Sequence, residues 1–175
     1  MLQWFTLIGA ALAGCGSDPA PLDAGDCWPM SSSTPGGTIE LGTGDSAFVA
    51  MPTEITLVYG SQGGYHIPTR ARIRGMQPGD LLDITSPTNP RTRIRGFFSD
   101  SGDATYGEAC PLRVGYQGQT DGSFVEPNVI ESRFFESLAP GDLEGKQVRV
   151  RAEVIDSNNL YASDEKVITV HVPPQ

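Results

Sequence analysis

The sequence has few positive charges. It contains 12 Lys and Arg residues against 21 Asp and Glu residues, which gives a formal net charge of -9 at pH 7 with histidine neutral. Proteins that grip the backbone of a nucleic acid use an excess of basic side chains to displace the counterions around the phosphates. The charge balance therefore argues against a nucleic-acid partner.

The sequence also lacks a hydrophobic run long enough to cross a membrane as a helix, which takes ~20 residues. The apolar run at residues 4–14 is far shorter, and residues 1–14 contain no charged side chain. A short uncharged apolar segment at the start of a chain is typical of a secretory signal peptide. We therefore predict a signal peptide over residues 1–14 and not a membrane-spanning anchor.

Sequence motifs of common enzymes are absent as well. The chain has no G-x-S-x-G, H-E-x-x-H or P-loop string, and a Ser-His-Asp triad would have to use His66 or His171. It has no Cys-x-x-Cys metal motif either. We expect a non-enzymatic binding or structural module without cofactor or metal. A metal or small-ligand carrier and a hydrolase with paired carboxylates are the alternatives.

The predicted signal peptide ends in Leu12-Ala13-Gly14-Cys15. This string resembles the lipobox of bacterial lipoproteins, in which the cysteine becomes the first residue of the mature protein and is acylated. The resemblance implies palmitate at Cys15 and a lipid anchor in the bacterial cell envelope, at the outer membrane or the cell surface. Two or more acyl chains suffice for stable attachment.

The two remaining cysteines form an even pair, Cys27 and Cys110. In an oxidising envelope compartment an even number of cysteines favours a disulfide bond. We predict a Cys27–Cys110 bond, which would stabilise the fold by roughly 4 to 5 kcal/mol in the chain-entropy model. Two buried free thiols are the alternative.

The sequence divides into a linker and one domain. Residues 16–37 are rich in Pro, Gly and Ser and contain no basic residue, so with Cys15 they are predicted to form a flexible linker over 15–37. The rest, 38–175, has the length of a single domain. With 21 Gly and 14 Pro in the chain, we expect a domain rich in turns.

From residue 38 onward, apolar and polar residues alternate with a period of two, as in half-buried strands. The clearest case is 147–154, where Val148, Val150, Ala152 and Val154 share one face. An Asn-rich turn at 156–159 and a strand at 166–172 follow it, and the three segments together predict a hairpin. Turns separate the candidates by about 8 to 15 residues, which indicates an immunoglobulin-like Greek-key β-sandwich. Phe134, Phe135 and Leu138 could instead form a short helical turn. The other strand candidates are 38–41, 47–51, 54–59, 66–74, 81–85, 92–99, 112–116 and 130–136.

Three strings carry a family resemblance: Glu40-Leu41-Gly42-Thr43-Gly44, the segment 57–66 and the segment 70–75. Together they resemble uncharacterised envelope lipoproteins common in myxobacteria, and 147–170 is similar to many bacterial immunoglobulin-like domains. The resemblance implies the β-sandwich fold and the envelope location. It implies no particular activity.

The most distinctive string is Gln62-Gly63-Gly64-Tyr65-His66, in which two glycines precede an aromatic ring and an imidazole. Adjacent glycines allow positive φ and a close approach of the backbone. Two interpretations are open. In the functional one, Tyr65 and His66 line a polar binding pocket, or else His66 binds a metal together with His171. In the structural one, the string forms a hairpin turn in which His66 makes structural hydrogen bonds.

Arginines recur at every second position in two predicted strands. Arg70, Arg72 and Arg74 form the first row, and Arg91, Arg93 and Arg95 form the second. If the two strands are neighbours, the six guanidinium groups crowd one surface and need neutralising charges. Acidic residues of the same sheet could supply these charges, and so could an anionic glycan, a lipid headgroup or a protein partner.

Overall fold

The computed structural model describes residues 33–61, 63–106 and 111–174. Of these residues, 47% lie in strands and 3% in a helix, so the predicted all-β class is confirmed. No helix within these ranges is long and apolar enough to cross a membrane. The predicted signal peptide and Cys15, Cys27 and Cys110 lie outside the described residues.

Short and long strands alternate along the described part of the chain, and one short helix precedes the last two strands. The strands are β1 (Thr34–Pro35), β2 (Thr38–Thr43), β3 (Val49–Ala50), β4 (Glu54–Thr56), β5 (Val58–Tyr59), β6 (Tyr65–Arg74), β7 (Arg91–Phe98), β8 (Leu112–Arg113), β9 (Gln117–Gly118), β10 (Phe124–Val125), β11 (Ile130–Arg133), β12 (Gln147–Ile155) and β13 (Leu160–His171), and the helix is α1 (Pro140–Leu143).

The strands form two curled sheets, the arrangement expected of an all-β sandwich. The first, called the β12 sheet, has the order β1-β13-β12-β7-β8, and β4 also pairs with β13. The second, the β6 sheet, has the order β3-β2-β6-β10-β9, and β5 and β11 also pair with β6. β1, whose Thr34 pairs with Leu160 of β13, lies within the segment 15–37 predicted to be a linker.

The hairpin of β12 and β13 confirms the clearest sequence prediction, although its second strand begins at Leu160 and not at residue 166. The strands are antiparallel with Gln147 opposite Thr169 and Ile155 opposite Tyr161. Asn159 in the connecting turn has φ of 61°, a conformation that asparagine tolerates better than most residues. The side chains predicted to share the inner face, Val148, Val150, Ala152 and Val154, are all fully buried.

One core fills the space between the sheets. Ile67, Ala71 and Ile73 of β6 and Val148 and Val150 of β12 belong to the same buried cluster. Fully burying one aliphatic side chain contributes about 1.5–3 kcal/mol, so this cluster is the main force that holds the sheets together.

The strand predicted at 81–85 is wrong. The structure has turns there, and the segment is held by Asn89, whose side-chain oxygen accepts the Asp80 N–H at 2.7 Å and whose amide donates to the Asp83 carbonyl at 2.8 Å. Leu82 and Ile84 are 94% and 79% exposed. Their alternation with Asp83 resembles that of a strand, but no second sheet covers them.

Candidate functional site

The two predicted arginine rows lie in different sheets. β6 carries Arg70, Arg72 and Arg74, and β7 carries Arg91, Arg93 and Arg95, but β6 belongs to the β6 sheet and β7 to the β12 sheet. The expected crowding of six guanidinium groups on one surface therefore does not occur. Each row meets the charges of its own sheet.

The first row is mostly neutralised by acidic neighbours. Arg72 forms an ion pair with Glu40, which lies directly opposite on β2, and Arg74 forms one with Asp121. Hydrogen bonds from Ser123, together with the charge of Arg74, hold the pKa of Asp121 well below its usual range. Arg70 is buried and donates to the Pro127 carbonyl.

The second row converges on one carboxylate. Glu153 of β12 accepts hydrogen bonds on Oε2 from Arg93 Nε at 3.1 Å, Arg93 Nη2 at 2.9 Å and Arg95 Nη2 at 3.0 Å. Its Oε1 accepts from the Tyr161 hydroxyl at 3.2 Å and lies 3.5 Å from Arg151 Nε. Only 3% of the Glu153 side chain is exposed. This carboxylate is a structural centre of the β12 sheet.

Arg91 differs from the rest of its row. It lies directly opposite Arg113 of β8, and it takes part in none of the ion pairs found among the described residues. The prediction that acidic residues neutralise the rows thus holds for Arg72, Arg74, Arg93 and Arg95. Arg70 uses a carbonyl instead.

We expect Arg74→Gln to lower the free energy of unfolding by no more than about 1 kcal/mol, since Arg74 and Asp121 are each about half exposed and surface pairs are weak. Urea denaturation at low and at high salt checks this. Arg113→Gln is the control, because this exposed arginine donates only to the Pro87 carbonyl among the described residues. A loss above about 2 kcal/mol for Arg74→Gln alone would contradict the expectation.

The Gly-Gly-Tyr-His string is a hairpin turn. Tyr59 of β5 pairs with Tyr65 of β6, and Gly63 and Gly64 have φ of 92° and 78° in the connection. The Tyr59 and Tyr65 rings meet edge to face with centroids 5.1 Å apart. The turn therefore has a structural reason for its glycines, as one of the two interpretations proposed.

Tyr65 and His66 also line surface hollows. Both border a hollow of about 160 Å³ next to Tyr106 and Arg133, and Tyr65 borders a second one of about 490 Å³ with Leu138. His171, the proposed second metal ligand, instead has its Nδ1 2.8 Å from Glu144 Oε1. The described residues contain no cluster of three or more potential metal ligands.

A cavity with a mainly apolar wall lies between β7 of one sheet and β11 of the other. Its volume is about 420 Å³, within the range of small-molecule sites. Most of its wall is apolar, with contributions from Ile94, Leu112, Val114, Val129 and Ile130. We call it the edge cleft. Of the predicted binding residues, only Arg93 and Arg95 line it.

Among the described residues, the edge cleft lies along an edge of β7 that is paired only in part. One edge of β7 pairs with β12 over all eight residues of β7. On the other edge, β8 pairs with Arg91 and Thr92, and Ala104 forms an isolated bridge with Phe97. Thr105 then joins the two sheets at one end of the cleft. Its N–H donates to the Gly96 carbonyl at 3.0 Å, and its hydroxyl donates to the Arg133 carbonyl at 2.9 Å.

Gly96 makes this junction possible. A Cβ atom at this position would lie 2.6 Å from the Thr105 hydroxyl oxygen, closer than any side chain tolerates. A glycine is therefore needed here because Thr105 approaches the backbone closely, and not because the backbone has an unusual φ.

A bulge forms another part of the cleft wall. β10 and β11 both pair with β6, with Val125 opposite Arg72 and Ile130 opposite Thr69. The four residues 126–129 thus lie opposite only residues 70 and 71 of β6, so the segment between β10 and β11 contains two extra residues. Pro127 has no N–H to donate to the ladder, which favours a bulge at this point.

Glu126 is the first residue of this bulge and the most unusual polar group of the cleft. It is 1% exposed, and its Oε2 has no hydrogen-bond partner among the described residues. Burial raises the pKa of Glu126 to about 8, although the nearby charge of Arg70 opposes this. At neutral pH the carboxyl is therefore mostly protonated.

Two hydroxyl groups complete the buried polar cluster around Glu126. The hydroxyls of Thr92 and Tyr116 are 2.7 Å apart and hydrogen-bonded. Burial, reinforced by the negative charge of ionised Glu126, raises the pKa of Tyr116. No hydrogen bond among the described residues, including that between the two hydroxyls, reaches Glu126 Oε2.

The sequence interpretation did not identify Glu126, Thr92 or Tyr116. One signal was available, because Glu126 stands between Phe124-Val125 and Pro127, where an acidic residue interrupts an apolar segment. Burial next to a cavity depends on which strands are neighbours, and the alternation within one strand does not contain that information.

The described residues thus define an all-β protein with a ligand-sized cleft at a sheet edge and a buried carboxyl in its wall. No protein-family model matches the chain, and the search of the curated proteins found no match.

Proposed function

We propose that this protein is a lipid-anchored, non-enzymatic binding protein of the bacterial cell envelope that holds a small molecule in the edge cleft. The observation that carries the binding role is the cleft itself, because a cavity of about 420 Å³ lined mainly by apolar side chains with a few polar groups is the usual form of a small-molecule site. This favours the small-ligand carrier over a purely structural module.

The fold proposed for this binding role is an immunoglobulin-like Greek-key sandwich. Two features support it: the consecutive long strands β6 and β7 belong to different sheets, and β7, β12 and β13 pair antiparallel. Greek-key sandwiches have such connections between their sheets.

The lipid anchor is proposed from Leu12-Ala13-Gly14-Cys15. We expect a clickable palmitate to label the protein in growing bacterial cells and Cys15→Ala to abolish the label, because no other residue would be acylated. Cys27→Ala is the matched control and should keep the label. Labelling that persists in Cys15→Ala would show that the lipobox interpretation is wrong.

The cleft is tested with an apolar probe, 2-isopropylnaphthalene, by equilibrium dialysis of the full chain in detergent-free buffer. We expect one saturable site, and we expect Val129→Phe to reduce its affinity at least tenfold because the larger ring fills the cleft. Val167→Phe adds the same ring at an exposed position of β13 and should leave binding unchanged. If the native protein binds none of the probe, the proposed function fails.

A further inference from the structure

Glu126 combines three properties that point to a ligand. Its side chain is almost fully buried, it lines the edge cleft, and its Oε2 is without a hydrogen-bond partner in the part of the chain that the structure describes. Buried polar atoms are nearly always hydrogen-bonded, so each exception needs a reason. A bound molecule that supplies the missing partner is such a reason.

We propose that the edge cleft binds a neutral, largely apolar small molecule and that Glu126 donates a hydrogen bond to an oxygen of this molecule, such as a ketone, ester or amide carbonyl. The inference rests on the proposed function, since it names the chemical class of the ligand for the same cleft. The apolar wall contacts the apolar body of the ligand, and Glu126 forms a hydrogen bond with the oxygen of the ligand.

The donor role follows from the state of the carboxyl. Burial keeps Glu126 protonated at neutral pH, and a protonated carboxyl carries one O–H donor. The hydroxyls of Thr92 and Tyr116 are hydrogen-bonded to each other. Glu126 lines the cleft and its Oε2 has no partner among the described residues, so this carboxyl can donate to a ligand there.

The charges around Glu126 disfavour a cationic ligand. Arg70 from β6 is close enough to oppose the rise of the Glu126 pKa, and Tyr116 is the other titratable group coupled to it. Arginines also contribute to the cleft wall, with Arg93 and Arg95 from β7 and Arg133 from β11. An ammonium group placed here would find no carboxylate free to pair with it among the described residues, because Glu131 and Glu153 already bind arginines and Glu126 is neutral.

An anionic ligand is disfavoured for a different reason. The arginines of the wall already have carboxylate partners, because Arg93 and Arg95 bind Glu153 and Arg133 binds Glu131 at 2.8 Å. Arg70 donates to the Pro127 carbonyl. A ligand carboxylate would have to displace one of these contacts inside a mostly apolar cavity, where an unpaired charge is costly.

Three probes of nearly the same shape separate these possibilities: 2-acetylnaphthalene, which offers a carbonyl, 2-isopropylnaphthalene, which has no polar atom, and 1-(2-naphthyl)ethylamine, which is a cation. At pH 6 we expect the full chain to bind the acetyl probe about fivefold or more tightly than the isopropyl probe, as one added hydrogen bond implies. The amine should bind most weakly. Equilibrium dialysis measures all three.

Variants at position 126 assign the preference to the carboxyl. Glu126→Gln keeps an N–H donor of similar shape, so it should keep the preference for the acetyl probe at pH 6 and at pH 9. Glu126→Met keeps the volume without a donor, so both probes should bind with similar affinity. In the wild type the preference should fall above about pH 8, as Glu126 ionises and loses its proton. Circular dichroism verifies that each variant is folded.

Results of two kinds would overturn the inference while leaving the binding function intact. The first is equal affinity for the acetyl and isopropyl probes in the wild type, or a preference that survives in Glu126→Met. The second is tightest binding of the amine with an affinity that rises with pH, which would make ionised Glu126 a receptor for cations. Absence of binding by all three probes would instead count against the proposed function.

Discussion

The wild-type protein is expected to lose about 3 kcal/mol of its free energy of unfolding between pH 5 and pH 8, and Glu126→Gln is expected to remove most of this loss. In the unfolded chain Glu126 ionises near its ordinary pKa of 4.5, whereas burial raises the pKa in the folded protein to about 8. Between these values the unfolded state has released the proton and the folded state retains it. Rising pH therefore favours unfolding.

Denaturation with urea at pH 5, 6, 7 and 8 measures this effect. Below about pH 4.5 both states are protonated, and above about pH 8 both are ionised, so the dependence should flatten at each end. Glu165→Gln, at an exposed position of β13, should keep the wild-type pH dependence. A wild-type stability that does not change between pH 5 and pH 8 would show that Glu126 is ionised in the folded protein.

Glu153→Gln is expected to lower the free energy of unfolding by about 3 kcal/mol, the range found when one partner of a buried ion pair is removed. Glutamine is similar in shape, but it carries no charge to neutralise Arg93 and Arg95, which both bind Glu153 Oε2. These two arginines stand two residues apart on β7 and share one face. Without the carboxylate their positive charges repel each other.

The matched control for Glu153→Gln is again Glu165→Gln, which makes the same substitution in the same sheet. Glu165 is partly exposed and its Oε1 lies 4.0 Å from Arg149, so its removal should cost no more than about 1 kcal/mol. Urea denaturation at pH 7 gives both values. A loss below about 1 kcal/mol for Glu153→Gln would mean that the arginines are stabilised without this carboxylate.

Glu126 and Glu153 show why burial alone does not define the role of a carboxylate. Glu153 is surrounded by arginines and the Tyr161 hydroxyl, so its charge is matched within the sheet. Glu126 has one cation nearby and an oxygen without a partner among the described residues. The first is a structural ion-pair centre, and the second is the group through which we propose that a ligand is recognised.

The long strands could be predicted from the sequence because each has a local pattern. Candidates at 66–74, 92–99 and 147–154 correspond to β6, β7 and β12 within one residue at each end. The short strands β9 and β10 were missed, since two residues are too few to show an alternation. The segment 81–85 shows the opposite error, because polar and apolar residues can alternate in an exposed loop.

Parity along each strand also predicted that each arginine row shares one face of its strand. It could not show that β6 and β7 belong to different sheets, nor that Glu153, 58 residues after Arg95, neutralises the second row. Strand neighbours are decided by hydrogen bonds between distant segments, and these depend on the whole set of pairings.

The sequence by itself determined the all-β class, the β12–β13 hairpin with its Asn159 turn, and the inward faces of the long strands, because these depend on alternation and turn residues that are close together in the chain. Only the tertiary structure decided the edge cleft and the burial of Glu126. Both arise where β7 of one sheet meets β11 of the other, and a bulge of two residues next to Pro127 places the carboxyl there. A cavity is the space that packed elements leave between them, so it has no pattern within any one segment.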